Sequence, residues 1–578
     1  MNNSGVNMRI NRLKIKNFRN LADIDVELLP GTVVVGENRA GKSNLLHALR
    51  LILDSTLSFS DRQLSREDFW DGLSDGSDGW DPLIQGQVIE ASIDIVEFED
   101  DPKLPAALAE ALLDDDPLRA RLTYRYAPVD TGEETLKPKY RGEVYGGEGG
   151  GRAISYELRS YLHLVFLHAL RDVEADIRNW RRSPLRTLLL AAAAAASEDD
   201  LGEVQVAMKE ANDKLNSLDV IKDLSDNIGQ RLVDMVGDNQ AIATELAAAP
   251  DDPMRLIRAM RLFVDGDAHR NLGSASLGTL NVLYLALQRL GLDTRRVDDE
   301  DIAHVVLAID EPEAHLHPHL QRLVFGGLLD GQEATTVLVT TQSPHIASVA
   351  DPRSLVVLRT VGGQTVAAAA HRASLSDVEW DDVGRYLDAT RAELVFARRV
   401  LLVEGFAEQV LVPKLAEALG MDLDKLGISV CAIHGTHFSS YVQLCNALEI
   451  PWAILTDGDV AASGARAGDA RAASLLELLG RTGDAQKHGI FVGRSTFEHD
   501  LLEEPANMTA AFDSLSELCK APSVATIESW NGQDPGYDEF MKMIKNAGGK
   551  GRYAQRLALR PVHAPQYVEA ALRYLEQR

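Results

Sequence analysis

Two groups of residues in this chain have the types and spacings needed for chemistry on phosphates. The first is Gly36-Glu37-Asn38-Arg39-Ala40-Gly41-Lys42-Ser43, a complete G-x-x-x-x-G-K-S loop. It follows the apolar run Thr32–Val35 and precedes a helical pattern from Asn44 to Leu53, the strand-to-helix setting such a loop requires. Glycines at 36 and 41 let the backbone curl so that N–H groups point at β- and γ-phosphate oxygens, and the helix adds its positive dipole end. Lys42 neutralises phosphate charge and the Ser43 hydroxyl can ligate Mg2+. The candidate contacts for ATP are therefore Gly36, Asn38, Gly41, Lys42, Ser43 and Asn44.

Further residues extend this group. The run Val305–Ile309 ends in Asp310-Glu311-Pro312-Glu313. An acid at the end of a buried strand can hold the water shell of Mg2+, the expected role of Asp310. Glu311 is placed to orient or deprotonate an attacking water. Gln342, in Thr340-Thr341-Gln342-Ser343, closes the next strand and could sense a γ-phosphate. Ser276 and Gly278 open a helix and make a second anion site.

The second group is acidic. The run Val400–Val403 ends in Glu404-Gly405, with Glu408 one helical turn later; Trp452–Leu455 leads to Asp457-Gly458-Asp459; Thr496–Leu501 holds Glu498. Gly405 is expected to permit a tight exit that presents both glutamates on one sheet edge, and the D-x-D pair to share one face. With 87 acidic residues in 578, each motif alone reads as surface charge; the combination in a βαβ setting does not. Five carboxylates on one edge repel unless cations intervene, which suits Mg2+ or Mn2+. Two ions roughly 4 Å apart can activate water and stabilise the leaving oxygen in phosphodiester cleavage.

The elements that position these groups are α/β. Arg9–Leu28 reads as a strand pair, Asp71–Asp81 and Glu97–Asp116 as surface loops and a short helix, and Tyr156–Phe263 as a long helical region. Strands return at His304–Ile309 and Thr335–Val339. A second α/β pattern begins at Val400, with strands at 428–433 and 452–455 and helices at 407–419 and 439–448. At 578 residues several domains are expected. Cys431, Cys445 and Cys519 show no paired spacing, so neither a zinc site nor a disulfide framework is indicated. No apolar run reaches membrane length and Met1–Met8 is polar, so a cytoplasmic protein without a membrane partner is the expectation. A net charge of −28 argues against a general nucleic-acid coat but leaves room for a local patch. Arg178, Arg181, Arg182 and Arg186 form one such cluster, readable also as a solvated helix face.

The loop, the serine–glycine segment and the D-E-P-E segment, in this order, resemble ABC-type ATPases of the SMC and RecF branch over about Met8 to Leu358. That resemblance implies a dimer sandwiching two ATP molecules, each with one Mg2+, and completed by Ser276 and Gly278 of the opposite head. Gln342 stands where the family usually has histidine, and glutamine donates a hydrogen bond but carries no proton, which implies slow or differently switched hydrolysis. The E-G-x-x-E and D-G-D pattern resembles the Toprim domain of topoisomerases, primases and OLD nucleases. The Glu498 segment and Lys550 in Gly549-Lys550-Gly551 match the OLD extension, as does the ATPase-then-Toprim order. The chain thus resembles the OLD (overcoming lysogenization defect) ATP-dependent endonucleases, the group that includes Gabija-type nucleases.

The resemblance implies an ABC/SMC-like head at 1–155 and 266–380, an inserted helical dimerisation arm at 156–265, and a Rossmann-like Toprim domain with its extension at 398–578. It implies metal binding by Glu404, Glu408, Asp457, Asp459 and Glu498, with Glu404 and Lys550 catalytic and Lys550 offsetting charge on the scissile phosphate. DNA as substrate, a homodimer or higher homo-oligomer, antiphage defence or DNA processing, and room for a helicase-like partner encoded nearby follow in the same way. The rival reading is a non-cleaving clamp or sensor ATPase. A topoisomerase lacks a supporting module around Tyr537 or Tyr553, and a primase lacks its zinc module.

Overall fold

The computed structural model describes residues 8–100, 104–129, 138–149, 154, 158, 161–168, 173–179, 183–236, 252–264, 270–298, 304–329, 335–387, 391–460 and 464–578. The valine-rich runs form its central sheet. In spatial order the strands are Gln364–Ala369, Leu355–Val361, Thr32–Gly36, Thr335–Thr341, His304–Asp310 and Leu162–Leu167. All pair in parallel except the first, which is antiparallel to its neighbour. Thr32–Gly36 and His304–Asp310 are buried along their whole length. That requires apolar side chains on both faces and explains the unbroken β-branched runs.

Each face of this sheet has its own core. Val34, Val306, Leu338 and Leu358 pack with Leu45, Leu49 and Ile52 of the helix Lys42–Leu53 and with an antiparallel sheet. That sheet runs Leu21–Glu27, Arg9–Phe18, Ile89–Val96, Leu118–Pro128, Leu112–Asp115, with Tyr140–Gly146 also pairing Leu118–Pro128. On the opposite face, Val33, Val35, Ile309, Val339 and Val357 share one apolar cluster with Val400, Leu402, Leu444 and Ile454 of the second α/β unit. The two units are therefore joined by continuous core.

The second unit has a parallel sheet in the order Ile428–Ala432, Arg399–Val403, Trp452–Thr456, Ile490–Val492. Its other face, carrying Leu401, Val403, Ala453 and Leu455, is covered by helices of the last eighty residues, with Phe540, Tyr553, Leu557 and Leu572 fully buried.

Two expectations fail. Leu162–Leu167, inside the range expected to be helical, is a strand registered against His304–Ile309. Six residues, apolar but for His163, are too few for periodicity to separate a strand from a helix segment. Leu112–Asp115, expected in a loop with a short helix, pairs as a strand with Leu118–Pro128. Helices do follow at Leu185–Ala195, Glu198–Asn216, Asp219–Val236 and Pro253–Ala259. Val206, Leu218, Val220 and Leu224 stand exposed there, Val220 at 78%. Arg181 and Arg182 lie outside the described residues, so the arginine cluster has no structural account. Among the described residues no helix is long and apolar enough to cross a membrane.

Candidate functional site

The phosphate loop leaves Thr32–Gly36 and enters Lys42–Leu53 through Gly41, whose φ of 93° lies where a Cβ is strained. Lys42 is 4% exposed, and its ammonium donates to the carbonyls of Gly36 (2.9 Å) and Glu37 (3.1 Å) and lies 3.3 Å from Glu311 Oε1. The Ser43 hydroxyl donates to Asp310 Oδ1 at 3.1 Å, so the two groups expected to share Mg2+ are adjacent. Thr340 holds the same oxygen at 2.6 Å. Gln342 Nε2 donates to Glu311 Oε1 at 2.6 Å, and its backbone N–H to Glu313 Oε1 at 2.7 Å.

Not every expected contact meets the loop. Asn38 is exposed. The Asn44 amide is engaged by Asn20 and Arg19, at 2.8 Å each, and braces the loop from outside. Ser276 is exposed at the start of the helix Leu277–Asp298. Gly278 lies where a Cβ would stand 2.5 Å from the His315 carbonyl, so only glycine lets that helix approach the segment after Glu313.

The acidic residues converge at the strand ends of the second unit. Glu404 Oε1 accepts from Thr456 Oγ1 (2.5 Å) and from the Asp457 backbone N–H (2.8 Å). Asp457 Oδ1 accepts from the Phe497 N–H at 2.9 Å, which ties the D-G-D turn to the helix Phe497–Leu502 carrying Glu498. Lys550, first residue of the helix Lys550–Leu557, places its ammonium 2.8 Å from Glu498 Oε2 and 3.8 Å from Asp457 Oδ2. Arg471, which no motif singles out, bridges Glu404 and Asp459 at 3.2 and 2.9 Å.

Two local expectations change. Gly405 has extended backbone (φ −151°, ψ −173°), and a Cβ there would meet only Glu408 Oε2, at 3.4 Å; no special turn is needed. The D-x-D pair is not set by strand alternation, because the strand ends at Thr456 and Asp459 has a left-handed φ of 47°. Asp500 accepts from the backbone of Arg494 and Ser495 and from the Ser495 hydroxyl, at 2.8 Å each, and so shapes the loop.

Burial sets the electrostatics. Asp457 is pushed up to about 8, first by burial and then by the charges of Glu404, Glu408 and Glu498. Burial and the neighbouring Glu498 and Glu404 push Glu408 up to about 7. Burial opposes the Lys550 charge, but Glu498 and then Asp457 and Glu408 outweigh it and hold the ammonium protonated. As the side chains lie, no three acidic, histidine or cysteine groups among the described residues are close enough to hold one ion together. Arg471 and Lys550 stand among the carboxylates. The donor set still fits a hard divalent cation. All its donors are carboxylate oxygens, and Glu498 is 0% exposed with Oε2 paired to Lys550 and the buried Oε1 without a hydrogen-bond partner among the described residues.

A phosphate loop on one parallel sheet and a carboxylate cluster on a second, with shared core between them, define a P-loop ATPase head fused to a Toprim-type unit. The family profile described as "Overcoming lysogenization defect protein-like, TOPRIM domain" matches residues 395–459, and an AAA domain profile matches 32–348. The chain is 26% identical over 472 residues to the OLD nuclease of Thermus scotoductus, covering 78% of this chain and 82% of that protein. To endonuclease GajA of Bacillus cereus it is 22% identical over 510 residues, with 82% and 79% covered. The solved C-terminal region of the Burkholderia pseudomallei OLD protein is 32% identical, covering 32% of this chain and 98% of that one, with a TM-score of 0.29. The chain belongs to the OLD family.

Proposed function

We propose that this protein is an ATP-regulated, divalent-metal-dependent DNA endonuclease. The observation that carries the reading is the gathering of Glu404, Glu408, Asp457, Asp459 and Glu498 around Lys550 and Arg471 at the ends of parallel strands. Mg2+ or Mn2+ held by these carboxylates would supply activated water and charge neutralisation for hydrolysis of a P–O ester bond. Lys550, partly exposed and kept charged by its pairing with buried Glu498, is the side chain suited to neutralise the scissile phosphate. Family membership and the names of the nuclease relatives support the same chemistry.

Regulation by ATP is supported by a contact between the two units. Glu37, inside the phosphate loop, pairs through both carboxylate oxygens with Arg398; the Nη2–Oε2 distance is 2.9 Å. Arg398 directly precedes the strand Arg399–Val403, which delivers Glu404. Arg359 of the ATPase sheet holds the same junction by donating to the Ala397 carbonyl at 2.6 Å. A nucleotide that repositions Glu37 therefore pulls on the strand that carries a metal ligand. Dimerisation through ATP-sandwiched heads or the helical arm is supported by the exposed Ser276 and by the exposed apolar residues of Glu198–Asn216 and Asp219–Val236. The setting the family implies is antiphage defence or DNA processing.

One feature favours the clamp reading. Gln342 occupies the switch position, and both it and Lys42 restrain Glu311, the expected hydrolytic base. Supercoiled plasmid with Mg2+ or Mn2+, with and without ATP, separates the two. The nuclease reading requires metal-dependent nicking by wild type and none by Glu404→Ala; no nicking at any metal or salt concentration leaves the clamp.

A further inference from the structure

We propose that Arg471 is a positioning residue of the metal site, fixing which oxygens of Glu404 and Asp459 face the cations. The inference rests on the metal-site reading above and assigns a role to a residue outside every motif of that site.

The geometry is specific. Arg471 lies in the helix Ala467–Leu478, and its side chain is 18% exposed. The start of that helix is locked onto the acidic turn: the Gly468 N–H donates to the Gly458 carbonyl at 3.0 Å and the Ala467 N–H to the Asp459 carbonyl at 3.3 Å. A Cβ at Gly468 would stand 2.2 Å from the Asp457 carbonyl oxygen, so glycine is required for the helix to press this close. Arg471, about one turn further on, reaches back over the turn. Its Nε donates to Thr456 Oγ1 (2.9 Å), and its Nη2 donates to the Asp457 carbonyl (2.6 Å) and Glu404 Oε1 (3.2 Å) and pairs with Asp459 Oδ2 (2.9 Å).

These contacts divide each carboxylate into a held oxygen and an available one. Glu404 Oε1 takes Thr456, the Asp457 N–H and Arg471, which leaves Oε2. Asp457 Oδ1 takes the Phe497 N–H, which leaves Oδ2 without a hydrogen bond among the described residues, 3.8 Å from the Lys550 ammonium. Asp459 Oδ2 is held by Arg471, which leaves Oδ1. The Asp459 backbone is held, its N–H by the Ser495 carbonyl at 3.2 Å and its carbonyl by the Ala467 N–H at 3.3 Å, whereas its side chain is 42% exposed and is tethered by the guanidinium. The guanidinium anchors Nε on Thr456 while Nη2 faces the two carboxylates and the carbonyl, two donor positions fixed in one plane that an ammonium on a flexible stem does not reproduce.

Sign makes the proposal testable. If Arg471 were only a nearby positive charge, removing it would tighten cation binding. If it positions the ligands, removing it weakens binding despite the relief of repulsion, by roughly tenfold or more as for other partners that orient ligands. Calorimetric titration of the full-length protein with Mn2+ alone distinguishes these, using wild type, Arg471→Ala, Arg471→Lys and Glu404→Ala. The proposal expects Arg471→Ala to bind Mn2+ at least about tenfold more weakly, with Arg471→Lys intermediate. It also expects plasmid nicking by Arg471→Ala to recover at high Mn2+, a rise in the metal requirement rather than a loss of maximal rate. Unchanged or tighter Mn2+ binding by Arg471→Ala overturns it. Should that variant not fold by thermal melting, Arg471→Lys decides: weaker binding supports the fork, and wild-type binding overturns it. Glu404→Ala separates the two levels. If wild type shows no Mn2+ binding that Glu404→Ala removes, the metal-site reading itself falls. If Glu404→Ala loses Mn2+ while Arg471→Ala keeps it, only the role of Arg471 falls.

Discussion

The phosphate loop and the carboxylate cluster both sit at the ends of parallel strands, yet they solve opposite electrostatic problems. The loop gathers backbone N–H groups and one buried lysine, an arrangement that wants an anion. The cluster buries carboxylates against one another until Asp457 and Glu408 hold protons near neutrality, an arrangement that wants cations. Beside each lies an acid on left-handed backbone, Glu311 at φ 42° next to the loop and Asp459 at φ 47° in the cluster. Such conformations cost roughly 1–3 kcal/mol and persist where surrounding contacts over-determine them. For Glu311 those contacts are the Thr340 carbonyl on its N–H and Lys42 and Gln342 on its side chain; for Asp459 they are Ser495 and Ala467 on its backbone and Arg471 on its side chain. The two problems are separable in principle, and one ion pair, Glu37 to Arg398, ties them together.

The largest effects should fall on one site without the other. Glu404→Ala is expected to lower plasmid cleavage by at least about a hundredfold while ATP affinity stays at the wild-type value, measured by nicking and by nucleotide titration. If ATP binding falls in parallel, the two sites are one cooperative unit and the comparison breaks. Lys42→Ala should weaken ATP binding by roughly a hundredfold, the loss of a buried charged hydrogen-bond donor, and leave cleavage without its response to ATP. Cleavage abolished outright by Lys42→Ala would mean that ATP drives the cut rather than regulating it.

The link itself should give a smaller, selective effect. Glu37 and Arg398 are largely exposed, so Arg398→Ala should cost only about 0.2–1 kcal/mol of stability. It should nonetheless reduce the ATP effect on cleavage severalfold at saturating ATP; an unchanged ATP effect would remove this contact from the account.

The smallest effect concerns pH. Asp457 and Glu408 have pKa values raised in the fold from 3.8 to about 8 and from 4.5 to about 7. The stability they contribute is complete below about pH 4 and is lost as pH rises through about 7 and 8. Asp457→Asn should therefore raise the metal-free melting temperature at pH 8, by about 2–4 °C, and converge on wild type near pH 4. Metal binding must displace those protons, so the stabilisation that Mn2+ gives to wild type should grow from pH 6 to pH 8.5. A metal-induced shift that is flat across this range would show that Asp457 and Glu408 are not the groups being displaced.

The difference between the sites also explains what the sequence made legible. A phosphate loop is contiguous, because backbone N–H groups and one lysine must come from a single turn, so Gly36–Ser43 declares itself. The carboxylates come from two strand ends and from two helices, Glu408 and Glu498 being helical, and they could be gathered only through the βαβ rhythm around Val400 and Trp452 and through family resemblance. Arg471 sits in an alanine-rich helix with no spacing to mark it, and it meets Glu404 only because Gly468 lets that helix press on the D-G-D turn. Arg398 and Glu37 are 361 residues apart, and neither carries a motif that pairs them. The strand Leu162–Leu167 was hidden for a different reason: a short, mostly apolar run ahead of a long helical region carries no period of its own.

The most direct test of the central claim is anomalous diffraction from crystals of the full-length protein soaked in Mn2+. Two peaks roughly 4 Å apart are expected, bounded by Glu404, Glu408, Asp457, Asp459 and Glu498 and absent from Glu404→Ala. A map with no Mn2+ peak among these carboxylates, from crystals that show Mn2+ beside Ser43 and Asp310, would contradict that claim.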